Sequence, residues 1–268
     1  MQYISSWFYG FFKSLRYLLF KSNVTYRNLE LSKNNNKLDK KSTKQVIFAL
    51  NNIPDKIHEH LFKIYDNVST NYHQITYIKY KNTYEPSSSQ LSHLSNDIKD
   101  ASIRFIFIRI NLIKNENLMN HVNCIIIDKQ QKFILYFEPI AIIKIDINEL
   151  LEILINFSDE LNSYMLLTPD KIGYNFYNRL QRYDNYCQTY ILYVYYLIIE
   201  NDNVKYTEFS NMFNTIITSD SIKYFLYFIY NLLLSGGINI DHFEFDNLND
   251  QSIDSIVINE ENDWLVDN

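Results

Sequence analysis

Cys187 sits where a polar, turn-prone stretch (181–190, ending Cys187-Gln188-Thr189-Tyr190) runs into the apolar segment 191–199. A cysteine in the first turn of a helix faces the positive end of the macrodipole and free backbone N–H groups, which favour the thiolate. A thiolate becomes a catalyst when a base, usually His, lies within hydrogen-bond reach and a third group orients that base. His121 opens the apolar run 121–128, residues 129–132 read as a turn, and Glu138 closes the run 133–138. If the two runs pair as an antiparallel hairpin, its open ends bring His121 and Glu138 within about two positions of each other, near enough for a contact. Gln181, six positions before Cys187, is placed to offer a side-chain amide to an oxyanion, beside backbone N–H groups at the helix start. The chemistry is then acyl transfer. Cys187 attacks a carbonyl, His121 shuttles the proton, Glu138 orients His121, and Gln181 stabilises the tetrahedral oxyanion.

The order His121, Glu138, Gln181, Cys187 resembles that of the ubiquitin-like-protein protease superfamily, which includes the SUMO proteases and the adenovirus protease, adenain. The acid 17 residues after His121 and the Gln six before Cys187 match that layout. The segment His121-Val-Asn-Cys-Ile-Ile-Ile-Asp128, followed by Phe137-Glu138-Pro139, is similar to the virus-like branches. The resemblance spans about residues 100–200. It implies an α+β fold in which a central mixed or antiparallel sheet carries His and acid and packs against a central helix beginning at the catalytic Cys. It also implies an intracellular thiol protease that cuts a viral precursor protein or a ubiquitin-like-protein conjugate without a cofactor. Val122 stands where cellular SUMO proteases carry Trp, Gln188 where they carry Gly, and Glu138 where they carry Asp. Asp128 is the reserve acid.

Other readings stay open beside this one. A binding or structural protein can keep such a fold with little activity, and the same Cys/His pair can transfer acyl groups on a non-protein substrate. Cys124, inside an Ile run, reads as a small buried hydrophobe. His58 and His60 read as solvated residues of a helix, and the cluster Tyr190–Tyr196 as core and core rim.

The elements that must hold these residues follow from composition and periodicity. The 268 residues are 47% hydrophobic and 21% charged, enough for one large domain with appendages. A net charge of −6 gives no broad electrostatic case for nucleic-acid binding. Two cysteines and no CxxC spacing imply neither a metal site nor a disulfide framework, and suit a reducing compartment. The 23 Tyr and 18 Phe against 4 Gly and 4 Pro point to AT-rich coding, which says nothing of chemistry.

Residues 1–21 read as an aromatic, apolar helix interrupted by Lys13 and Arg16, too broken for a membrane span. It either docks on the core or lies in a membrane interface with Trp7, Phe8, Phe11 and Phe12 inserted. Residues 22–46 read as a polar linker, 47–237 as the protease-like domain, and 238–268 as an acidic tail. Within the domain the patterns predict a helix over 54–68, a strand over 72–81, and a loop over 86–97. Strands follow over 103–113, 121–128 and 133–138, then helices over 147–167, 185–199, 206–217 and 220–234.

Overall fold

The β-branched and aromatic runs form the middle of a mixed sheet that has six strands among the described residues. The computed structural model describes residues 38–78, 81, 83–86, 91, 93–115, 118–139, 147–173, 187–216 and 219–238. Its strands are β1 (His73–Ile78), β2 (Thr83–Pro86), β3 (Phe105–Asn115), β4 (Leu118–Asp128), β5 (Phe133–Phe137) and β6 (Met165–Leu167), in the order β2-β1-β3-β4-β5-β6. The β1–β2, β3–β4 and β4–β5 pairs are antiparallel, and β1–β3 and β5–β6 are parallel. The helices are α1 (Lys40–Asn52), α2 (Pro54–Phe62), α3 (Leu94–Lys99), α4 (Ile147–Ile155), α5 (Pro169–Ile172), α6 (Cys187–Glu200), α7 (Phe209–Ile216) and α8 (Ser219–Ser235). The expected α+β class is the observed one.

Strand alternation divides the sheet between two cores. Phe105, Phe107, Cys124, Ile126, Leu135 and Phe137 pack with α1, α2, α6 and α8. Ile106, Ile108, Ile110, Ile125, Ile127 and Ile134 pack with α3 and α4 on the other side. Helix α6 is buried at every residue from Cys187 to Ile199. Such a helix has no solvent face to keep polar, which explains its nearly continuous apolar sequence.

The β4–β5 hairpin is held at its closed end by Asp128. One carboxylate oxygen, Oδ1, accepts from the backbone N–H groups of Gln130 (2.8 Å) and Gln131 (3.0 Å). Arg104 grips the same carboxylate with Nε (3.0 Å to Oδ1) and Nη2 (2.8 Å to Oδ2). Lys132 completes the turn with φ of 53°. This arrangement fixes the register, which sets Cys124 opposite Phe137. Continuing it one position places Glu138 across from Asn123 and two positions from His121, the offset expected from the sequence.

Several elements differ from expectation, each for a tertiary reason. Helix α1 occupies the end of the stretch read as linker, because Asp39 caps it by accepting from Ser42 N at 2.6 Å and it buries Val46, Ile47 and Leu50. Helix α2 ends at Phe62, since the backbone at 67–69 is drawn into pairing. Asn67 O accepts from Arg104 N and Phe105 N, and Val68 bridges Phe105. Helix α4 stops at Ile155, after which Asp159–Ser163 forms a 3-10 turn and Met165–Leu167 joins the open edge of β5. The expected loop 86–97 contains the start of α3, which buries Leu94 and Ile98 at helical spacing.

His58 is not solvated. It is fully buried on α2 among Phe62, Tyr72, Phe107 and Tyr195, and burial, with His73 nearby, pushes its pKa down to about 3. Among the described residues no helix is long and apolar enough to cross a membrane. Trp7, Phe8, Phe11 and Phe12, the expected linker before residue 38 and the tail beyond 238 lie outside the described residues.

Candidate active site

Strand β4 delivers His121, and helix α6 delivers Cys187. The β3–β4 register shifts between Leu112 and Ile113, next to the Leu112–His121 pair. Such irregularities bend a strand and re-aim the side chain beside them. Cys187 Sγ lies 2.8 Å from His121 Nδ1, with the two residues 6% and 7% exposed. The pair is assembled and largely shielded from water.

Burial pushes the His121 pKa down to about 4, and the neighbouring Asn123 amide pulls the other way. The imidazole is therefore neutral at neutral pH. Its Nδ1 accepts the Cys187 S–H, so its own proton resides on Nε2, a tautomer assigned from this contact. Glu138 Oε1 stands 4.0 Å from that Nε2. The distance is at the limit of an ion pair and beyond hydrogen-bond reach.

Two residues to which the sequence reading assigns no role complete the surroundings. Tyr136 receives a hydrogen bond from Asn123 Nδ2 at 2.5 Å, and its hydroxyl donates to Glu138 Oε2 at 3.4 Å. Asn123 is fully buried. The available signal was an amide inside the otherwise apolar run 122–127. A buried amide in a strand interior needs a polar partner.

The remaining candidates separate clearly. Gln181 lies outside the described residues. Asp128 is committed to Arg104 and the hairpin turn at the far end of β4 from His121, so it is not a reserve acid. Cys124 is fully buried, and burial drives its pKa well up, which suits a packing role. Gln188 is buried in α6 directly after Cys187. A second group of reactive residue types, Ser69, Asn71 and His73, converges on Asp97. Ser69 Oγ donates to Asp97 Oδ2, Asn71 Nδ2 reaches Oδ1 at 2.8 Å, and His73 Nε2 lies 2.8 Å from Oδ2. Ser and His both bind the acid rather than each other, so this cluster ties β1 to α3 and is not a Ser–His–Asp triad. Among the described residues no group of three metal-ligating side chains gathers.

Fold and site together define an α+β domain holding a preassembled, buried Cys–His couple, the minimum equipment of thiol-dependent acyl transfer. No family model and no curated relative matches the sequence. Among solved structures the chain is similar to the SUMO protease Ulp1 with its catalytic cysteine oxidized to a sulfenic acid. That likeness has 16% identity and a TM-score of 0.44, over 76% of this chain and 98% of that one. It is also similar to the C-terminal Ulp1 protease domain in complex with Smt3, the yeast ortholog of SUMO. There the identity is 16% and the TM-score 0.43, again over 76% and 98%.

Proposed function

We propose that the chain is a cysteine protease that cuts a ubiquitin-like-protein conjugate or a viral precursor protein. The observation that carries the reading is the 2.8 Å contact between Cys187 Sγ and His121 Nδ1. His121 Nδ1 takes the thiol proton as Cys187 attacks the scissile carbonyl carbon. The carbonyl oxygen becomes an oxyanion, to which Gln181 and backbone N–H groups at the start of α6 donate. His121 then gives its proton to the leaving amine, the C–N bond breaks, and a thioester on Cys187 remains. Water, deprotonated by His121, hydrolyses the thioester and restores the thiol. Glu138 supplies negative charge near the imidazolium formed in each half-reaction. The substrate class rests on the motif order His121, Glu138, Gln181, Cys187.

The test is cleavage of a panel of ubiquitin-like-protein fusions and precursor peptides by wild type and Cys187→Ala, read by mass spectrometry. Cleavage by wild type alone is expected. Turnover of small thioesters with no peptide bond cut would instead assign the couple to non-proteolytic acyl transfer.

A further inference from the structure

We propose that Asn123 is a positioning residue of this site: its amide oxygen accepts the His121 Nε2 proton, and Tyr136 holds the amide in that orientation. This rests on the protease reading above and adds a residue to its machinery.

The orientation follows from the donors and acceptors present. A Tyr hydroxyl has one proton to give. Tyr136 lies between Asn123 Nδ2 at 2.5 Å and Glu138 Oε2 at 3.4 Å. An ionised carboxylate only accepts, so the hydroxyl proton goes to Glu138 and the hydroxyl oxygen accepts from Asn123 Nδ2. That bond commits the amide nitrogen and turns Asn123 Oδ1 the opposite way. Asn123 Oδ1 is buried without a hydrogen-bond partner, and so is His121 Nε2. One is an acceptor, and the other, in the tautomer set by Cys187, is a donor. They belong to side chains two residues apart on β4, which strand alternation places on one side.

A buried donor and a buried acceptor left unmatched side by side is an arrangement that native sites resolve by pairing. The Asn123 amide oxygen, by accepting from Nε2, also favours the charged imidazole, the form created when Cys187 loses its proton. Glu138, at 4.0 Å from Nε2, supplies charge, while Asn123 supplies direction.

The experiment uses the full chain with Asn123→Ala, Asn123→Asp and Tyr136→Phe, none altering Cys187 or His121. Two quantities are read against pH: the rate of Cys187 acylation by an electrophilic peptide, and the His121 ring titration by NMR. Asn123→Ala is expected to slow acylation roughly tenfold or more and to lower the His121 titration point. Tyr136→Phe, which frees the amide without removing it, should give a smaller loss. Asn123→Asp keeps an acceptor of nearly the same shape, so it should retain most of the rate and raise the His121 titration point.

A folded Asn123→Ala with a rate within about twofold of wild type and an unmoved titration overturns the proposal. If Asn123→Ala fails to fold, an Asn123→Asp variant whose His121 titration is unmoved overturns it equally. Should wild type show no Cys187-dependent acylation, the protease reading falls, while the His121 titration in the same variants still decides the Asn123 contact.

Discussion

Cys187 Sγ and His121 Nδ1 meet at 2.8 Å although 66 residues of chain separate them. The contact unites the two halves of the domain, the sheet through β4 and the helical core through α6. General-base assistance is worth roughly 10²–10⁴ in rate. His121→Ala should therefore slow Cys187 acylation by at least about two orders of magnitude at neutral pH, with the thermal unfolding curve confirming a folded chain. A folded variant losing only a few-fold would contradict the role of His121 as base.

The acid limb of the pH–rate profile should lie unusually low. Burial holds His121 neutral down to about pH 4, so the base is available well below the ordinary imidazole range. Acylation per folded molecule should stay nearly flat from neutral pH to about one unit above that value. A limb centred at pH 6.5, the ordinary value for His, would show that the imidazole is not buried as described.

Stability should move with pH for the same reason. His58 and His121 titrate at about 3 and about 4 in the folded chain, against 6.5 for an ordinary imidazole. Between those values the unfolded chain binds protons that the folded chain refuses. Their contribution is therefore fully present above pH 6.5 and is lost as pH falls towards 3 to 4. At about 1.36 kcal/mol per unit, the loss is of the order of several kcal/mol. Urea midpoints should drop across this window, and His58→Phe should flatten the drop. A midpoint independent of pH from 7 to 4 would contradict the burial of both rings.

Asp128 should behave as a structural acid. Its carboxylate is fully buried, takes two bonds from Arg104 and two from the turn. Removing the carboxylate strips the turn of its acceptor and leaves Arg104 with only Asp202, 3.7 Å away, as counter-ion among the described residues, so Asp128→Ala should cost about 3 kcal/mol by urea unfolding. Acylation per folded molecule should change little. A stable Asp128→Ala variant with a dead thiol would return Asp128 to the catalytic set.

The local parts of this fold were legible in the sequence because they carry strong periodic signals. The turn at 129–132 and the apolar runs on either side of it are enough to set the hairpin register, and with it the approach of His121 to Glu138. The junction at Cys187 was legible as a polar-to-apolar switch. What escaped depends on distant partners. His58 looked like a polar residue on a helix surface, yet the aromatic core closes over it. Residues 156–167 carried a helical pattern, but the free edge of β5 captured Met165–Leu167 as a strand. Asp97 looked like a loop residue until Ser69, Asn71 and His73 reached it from another element. Asn123 was hidden by its own neighbours, a single amide in an Ile-rich strand whose use emerges only when Tyr136 is placed opposite Ile125.

The most direct measurement is the intact mass of the chain after reaction with an electrophilic peptide probe. Wild type should gain one adduct, mapped to Cys187, that is absent in Cys187→Ala and greatly slowed in His121→Ala. Cys124, buried with its pKa driven up, should stay unmodified. Equal labelling of wild type and Cys187→Ala, or an adduct on Cys124 alone, would contradict the assignment of Cys187 as the nucleophile.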